Sequence, residues 1–358
     1  MFASALKATQ GQANDLNFAA VKSVCVILVD GLGSHNLRAA GGHARFLNSA
    51  LQQSKGILAG FPSTTAVSIT SFGTGLTPNE HGIFGYKVVD PDSENAVNML
   101  SDWSATLEPT KWQSKPTVAE LAASAGKQAW IVGPSEYEGS GFTQVSMRGA
   151  KYAAAKTIEQ RFEKARELLM DKTPKIIYLY VPELDQLAHA HGSDSDKWLG
   201  QVEHLDGAVA EFTRSLPKSV GAALTADHGI VNVPRGNHIY LDEYPCSAQL
   251  SVAAGDPRCI YAYLAAGTQV AAWVENAQSD LGERVLVAAI EQVESLGWFG
   301  GVIDPAVRDR LPQAIILAKD LVALYDRRSA PAKSLNMVGQ HGGISDAELQ
   351  VPLLRWGI

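Results

Sequence analysis

Cysteine is scarce: the 358-residue chain has three, Cys25, Cys246 and Cys259. No two of them stand in a CxxC spacing, which excludes a disulfide framework and argues against thiolate zinc sites and dithiol redox chemistry. Long apolar runs are missing as well. No stretch approaches the roughly eighteen residues needed to cross a bilayer, and the opening MFASALKATQGQANDLNFAAVKS has no continuous apolar segment of the signal-peptide kind. The expectation is a soluble, cytoplasmic protein with no membrane partner. Basic residues are outnumbered, 30 Lys and Arg against 37 Asp and Glu, for a formal charge of −7 and a pI near 5.7. So acidic a surface argues against a nucleic-acid polymer as partner, and at first against any anionic substrate. Repeats and low-complexity segments are absent too.

Apolar residues supply 46% of the chain and mean hydropathy is −0.03, an ordinary globular composition with enough Val, Ile, Leu and Ala for a large core. The length suits one large α/β domain, or a core with an insertion. Short apolar runs recur, followed by helical patterns. Val24–Val29, Gly56–Phe61, Gln128–Gly133, Lys175–Val181 and Val220–Ala226 read as strands, and Thr117–Ala125 as a helix. Two amphipathic helices are marked by Ile158, Phe162, Ala165 and Leu169, and by Leu199, Val202, Leu205, Val209 and Phe212. Apolar strands alternating with helices imply an α/β fold, with a mainly parallel central sheet sandwiched by helices. Beyond about residue 236 the pattern changes: Cys259–Leu264 and Gln313–Ala318 read as strands flanking a long helix, Glu283–Leu296. A Lys/Ser/Pro-rich connector follows at Arg327–Lys333. The organisation expected is a catalytic core of residues 20–236 and 334–358, with 237–333 as an inserted cap region.

Residues able to bind ions fall at the ends of these strands, where open parallel sheets build their sites. Asp30 follows VCVILV, and Ser63, Thr64 and Thr65 follow GILAGF and Pro62 at the start of a helical stretch. Asp185 and His189 lie past KIIYLYV, one helical turn apart. Asp227 and His228 end VGAALTA, and His341 sits among glycines near the C-terminus. Taken singly, each suits a turn or a helix cap. Together, three carboxylates and three imidazoles suit two divalent ions, most readily Zn2+, with Mn2+ or Fe also compatible.

The segments ILVDGLG, FPSTTAVSITSFGTGLTPNEHGIFGY, ELDQLAHAHG, HLDGAVAEF, TADHGIVNVP and GQHGGISDAELQVPLL, in this order, resemble the alkaline phosphatase superfamily, close to its type I phosphodiesterase/nucleotide pyrophosphatase branch. The resemblance implies an alkaline phosphatase-like fold and a hydrolase of small-molecule phosphate esters. Carried across residue by residue, it implies one metal site from Asp185, His189 and His341. The other would take Asp30, Asp227 and His228, completed by the hydroxyl of Thr65. Thr65 is the implied nucleophile and passes through a phosphothreonyl intermediate; Thr64 and Ser63 are its neighbours in competition. Phosphomonoesterase and phosphonate hydrolase activity are the alternatives at such a centre, and a catalytically silent metal-binding scaffold is a more distant one. Two departures stand out. Tyr86 occupies the position of an asparagine that contacts a phosphoryl oxygen, making it the substrate-binding candidate, and Val67-Ser68 replaces Pro-Asn.

No Lys or Arg occurs from Phe61 through Tyr86, which leans towards diesters, since a dianionic monoester is commonly held by arginine. The overall charge then loses its force against an anionic substrate. Two dications would bring +4 against −3 from Asp30, Asp185 and Asp227, which makes the pocket locally positive.

Overall fold

The computed structural model describes residues 1–104 and 106–358, and among these ten strands make two larger sheets. The first contains β1 (Ser23–Val29), β2 (Gln128–Gly133), β3 (Lys151–Ala154), β4 (Lys175–Val181) and β5 (Val220–Thr225); the second contains β6 (Leu250–Asp256), β7 (Cys259–Leu264), β8 (Val285–Ala289) and β9 (Ala314–Ala318). The last strand, β10 (Leu354–Trp356), returns to the first sheet. Its order is β10–β5–β1–β4–β2–β3, parallel throughout except that β10 runs against β5.

All seven residues of β1 are buried because both faces of the sheet are covered. Cys25, Ile27 and Val29 enter one core and Val24, Val26 and Leu28 the other, as the two-residue period of a strand requires. The first core is closed by α4 (Ile158–Met170), α5 (Glu183–His191) and α6 (Asp196–Arg214). The second is closed by α1 (Phe2–Thr9), α2 (Thr65–Thr74) and α3 (Val118–Ser124). Side-chain caps set where several of these helices start. Thr117 and Thr157 accept from the third-residue N–H groups of α3 and α4, in capping boxes with Glu120 and Gln160. Ser195 does the same for α6.

The second sheet, ordered β6–β7–β9–β8, is antiparallel. Tyr261, Ile315 and Leu317 pack towards Phe61, Ala66, Phe84 and Phe299, whereas Ile260, Ala262 and Ile316 pack against Trp273 and Ala277 of α7 (Val270–Leu281). One face of this sheet therefore rests on the start of α2.

Two sequence expectations are corrected. Gly56–Phe61 is not a strand of the central sheet: only Ile57–Leu58 is extended, antiparallel to Gln350–Val351, with Leu58 69% exposed. Gly56 and Gly60 weaken the run, and Pro62 cannot donate to a ladder. The Glu283–Leu296 helix is replaced by β8 and a short helix, Ile290–Ser295. Val285 and Val287 suit a strand paired with β9, and a brief apolar run does not distinguish the two periods. The long helix of this region is α7, which stops at Gly282 with φ +74°. Near the N-terminus, Phe2, Ala5 and Leu6 of α1 pack into the second hydrophobic core. Among the described residues, no helix is long and apolar enough to cross a membrane.

Candidate metal and active centre

Three adjacent parallel strands, β5, β1 and β4, point their carboxyl ends the same way, and this brings separated residues together. Asp30 follows β1, Asp227 and His228 follow β5, and Asp185 and His189 lie one turn apart on α5, which starts directly after β4. Thr65 opens α2, and His341 follows the short strand Gly339–Gln340.

Each histidine is oriented by a backbone carbonyl. Nδ1 of His189 lies 2.8 Å from Gly339 O, that of His341 3.0 Å from Ser63 O, and that of His228 3.3 Å from Gly229 O. A carbonyl only accepts, so each Nδ1 carries a proton, and in the neutral ring each Nε2 would present a lone pair. His228 Nε2 is 3.5 Å from both Asp30 Oδ1 and Asp227 Oδ2, and the Thr65 hydroxyl donates to it at 3.2 Å. His189 Nε2 is 3.3 Å from Asp185 Oδ2, and His341 Nε2 is 4.0 Å from Asp185 Oδ1.

The carboxylates are oriented in a similar way. Tyr180 donates its hydroxyl to Asp30 Oδ2, while Asp227 Oδ1 accepts from the N–H groups of Gly31 and His228 at 3.2 and 3.0 Å. The remaining atoms Asp30 Oδ1, Asp227 Oδ2 and Asp185 Oδ1 are buried with no hydrogen-bond partner. A buried carboxylate oxygen without a partner is costly. Two groups of ligand atoms lie within 4.8 Å of one another: Asp185, His189 and His341, and Asp30, Asp185 and His228, so Asp185 stands between them. Burial, with the charges of Asp227 and Asp185, pushes the Asp30 carboxyl well above its ordinary pKa. Burial pushes Asp227 up as well, although His228 opposes it. Burial and then the imidazoles of His228 and His189 hold His341 well below the usual histidine range. Divalent ions would offset the carboxylate repulsion: their charge favours ionised carboxylates and neutral imidazoles, and they would take the Nε2 lone pairs of those imidazoles. The donor set fits such ions.

The three neighbouring hydroxyls are engaged differently. Ser63 donates to Gly343 O at 2.7 Å and Thr64 to Asp256 Oδ1 at 3.0 Å, whereas Thr65 is directed at the ligand cluster. Beside Thr65, Asp30 and Asp185 opens a cavity of about 530 Å³ walled by Trp103, Tyr137, Phe142 and Tyr180, with no Lys or Arg among the described residues that line it. Tyr86 is not among the lining residues; its phenol accepts from Asn98 at 2.8 Å. Arg148 is tied to Glu120 at 2.8 Å and to the carbonyls of Gln113 and Lys115, so its guanidinium is engaged away from a phosphate.

Sequence reasoning missed Tyr180, Asp256 and the ion pair of the buried Arg161 with the half-buried Glu183. Arg161 also donates to Tyr180 O at 2.8 Å, joining α4, β4 and the start of α5 behind Asp30. The signal for Tyr180 was a phenol within an apolar strand, which when buried needs a partner for its hydroxyl.

Residues 24–344 match the family described as type I phosphodiesterase / nucleotide pyrophosphatase. The chain belongs to this family. Among curated relatives, it is 25% identical over 197 residues to an uncharacterised pyrophosphatase/phosphodiesterase of Schizosaccharomyces pombe, covering 52% of this chain and 40% of that protein. It is also 25% identical over 195 residues to ectonucleotide pyrophosphatase/phosphodiesterase family member 1 of Rattus norvegicus, covering 51% and 21%. The chain thus spans well under half the length of these two relatives. The fold is shared with murine ectonucleotide pyrophosphatase / phosphodiesterase 5, solved as an inactive threonine-to-alanine variant in complex with AMP. That likeness has a TM-score of 0.74 and 17% identity, over 94% of this chain and 88% of the other. Phosphonoacetate hydrolase from Sinorhizobium meliloti, solved with phosphonoacetate, shares it at a TM-score of 0.73 and 18% identity, over 94% and 91%.

Proposed function

We propose that this protein is a two-metal phosphoric ester hydrolase of the phosphodiesterase type, with Thr65 as nucleophile. The observation that carries this reading is the cluster around the Thr65 hydroxyl: three carboxylates, each with a buried, unpartnered oxygen, and three imidazoles whose Nδ1 atoms face backbone carbonyls, with the Thr65 hydroxyl on His228 Nε2. Asp185, His189 and His341 would hold one ion; Asp30, Asp227 and His228, with Thr65, would hold the other. Bound divalent ions, most readily zinc, supply charge that makes the hydroxyl more acidic and neutralises the phosphoryl oxygens.

The chain's own residues do the rest. Thr65 Oγ1 gives up its proton to solvent and forms a bond to phosphorus as the ester P–O bond opposite it breaks, and the alcohol departs with a proton from solvent. Water then cleaves the Oγ1–phosphorus bond, releasing the phosphate product and restoring the hydroxyl. The cavity beside Thr65 would take an organic ester group against its aromatic walls. The AMP complex of the murine structural neighbour, and the inactivity of its threonine-to-alanine variant, support this reading. The absence of Lys and Arg from the described residues lining the cavity favours a singly charged diester over a dianionic monoester.

The test is Thr65→Ala in zinc-loaded protein. Turnover of bis(p-nitrophenyl) phosphate should be abolished while about two equivalents of zinc remain bound. Wild-type turnover by this variant, or a wild-type protein that takes up no divalent ion, would overturn the proposal.

A further inference from the structure

β6 ends at Asp256 and β7 begins at Cys259, so Asp256 and Arg258 both belong to the tight hairpin between them. Both side chains are buried, 3% and 1% exposed, and both are used outside their own sheet. Asp256 Oδ1 accepts the Thr64 hydroxyl at 3.0 Å. Thr64 is the N-cap of α2, where a threonine oxygen ordinarily accepts from an N–H of the first turn; here it makes no such bond. The residue immediately before Thr65 is therefore anchored to the second sheet rather than to its own helix.

Arg258 reaches the opposite side of the centre. Its Nε and Nη2 donate to the two oxygens of Glu348 at 3.1 and 2.9 Å, and its Nη1 donates to Val322 O at 2.7 Å. Glu348, fully buried, accepts the Gly343 N–H at 2.8 Å, two residues after His341. The loop is joined to the nucleophile segment in turn: Gly342 N–H donates to Ser63 Oγ at 3.2 Å, and Ser63 Oγ donates to Gly343 O at 2.7 Å. Gly342 has φ +110°, and a Cβ there would lie 2.6 Å from Asp256 Cβ, so the hairpin and the His341 loop touch at a position that only glycine allows. A buried arginine–glutamate pair and a buried aspartate are expensive ways to hold a hairpin whose apolar neighbours could pack it. Apart from the Arg258 bonds to the 320–322 backbone, their side-chain bonds lead to Thr64 and, through Glu348, to the His341 loop.

We infer that the Asp256–Arg258 hairpin is a positioning element of the centre, with Asp256 fixing Thr65 through Thr64 and Arg258 fixing the His341 loop through Glu348. The inference rests on Thr65 as nucleophile and His341 as ligand. Asp256 and Arg258 are positioning residues: neither touches the reacting atoms.

The experiment compares zinc-loaded wild type with Thr64→Val, Asp256→Ala, their double variant and Asp256→Asn, using steady-state hydrolysis of bis(p-nitrophenyl) phosphate and zinc content. Thr64→Val and Asp256→Ala should each lower kcat by about 10- to 100-fold with little change in KM and zinc retained, because a misplacement of about 1 Å at the nucleophile has an effect of that size. The double variant should be no slower than the slower single, since both remove one hydrogen bond. Asp256→Asn, which keeps an acceptor oxygen, should recover most of the rate. Arg258→Lys should lose one zinc equivalent to a chelator about tenfold faster. Wild-type kcat in Thr64→Val or Asp256→Ala, multiplied losses in the double variant, or no rescue by asparagine would overturn the inference. If Asp256→Ala does not fold, Thr64→Val against Asp256→Asn decides it alone. Thr65→Ala separates the two proposals: activity in that variant refutes the nucleophile, whereas a dead Thr65→Ala beside a normal Asp256→Ala refutes only the hairpin.

Discussion

The imidazoles of His228 and His341 stack with ring centroids 3.7 Å apart and planes 16° from parallel. Both stand at a cluster of three carboxylates, and each donates its Nδ1 proton to a backbone carbonyl. Two imidazolium rings cannot stack this closely at low cost, and burial with the neighbouring imidazoles holds His341 well below the usual histidine range. Their Nε2 atoms, that of His228 also bonded to the Thr65 hydroxyl, face carboxylate oxygens that have no hydrogen-bond partner. Such a centre is under electrostatic tension until a cation enters it.

Metal removal should therefore destabilise the fold as well as stop turnover. Two sites each filled at about 100 times their dissociation constant would contribute about 5 kcal/mol in total. Stripping both ions should lower Tm by on the order of 10 °C in calorimetry, and zinc added back should restore it. An unchanged Tm on chelation, in protein shown to have bound zinc, would count against the assignment of these residues as ligands.

Substrate charge follows from the cavity walls. The described residues of its lining include no Lys or Arg, and Arg148 is committed to Glu120. A monoester dianion would lack the charge-assisted hydrogen bonds, each of about 1.5–3 kcal/mol, that an arginine gives it. The kcat/KM for bis(p-nitrophenyl) phosphate should accordingly exceed that for p-nitrophenyl phosphate by on the order of tenfold. The reverse ranking would overturn the substrate preference without touching the fold.

Close packing holds α2 in place. Gly73 lies where a Cβ would stand 1.9 Å from the Ser146 carbonyl oxygen, a backbone atom that cannot swing away. Gly73→Ala should cost about 2–4 kcal/mol and also disturb the helix that begins at Thr65. Gly200 on α6 has nothing within 4 Å of its Cβ position, so Gly200→Ala should stabilise by about 0.5–1 kcal/mol. Urea unfolding of both variants checks the opposite signs.

What was legible in the chain depended on local pattern. VCVILV and KIIYLYV were readable as buried parallel strands because an uninterrupted apolar run needs cover on both faces. Asp30, Asp185, Asp227 and His228 followed from standing at the ends of such runs. GILAGF misled because composition alone does not reveal the weakness that Gly56, Gly60 and Pro62 bring. Val285–Ala289 misled because five apolar residues beside Glu291, Val293 and Leu296 fit a helical period equally well. Asp256 and Arg258 left no trace at all: their meaning lies in Thr64 and Glu348, 192 and 90 residues away. Pairings over such distances arise from sheet topology, and no short window contains them.

His81 provides a pH test remote from the ligand cluster. It is 1% exposed; its Nδ1 accepts from Ile83 N–H at 3.1 Å, so the proton sits on Nε2 and is donated to Ser71 Oγ at 2.9 Å. Burial pushes its pKa down to about 3 from an ordinary 6.5. Between those values the unfolded chain takes up a proton that the folded one refuses, so stability is lost as pH falls through 6.5 towards about 3. The loss approaches about 1.4 kcal/mol per pH unit from this one group. His81→Gln should be less stable than wild type at pH 7, yet its unfolding free energy should fall less steeply between pH 6.5 and 5. Urea denaturation across that range gives both slopes, and equal slopes would mean that His81 does not stay neutral in the folded protein.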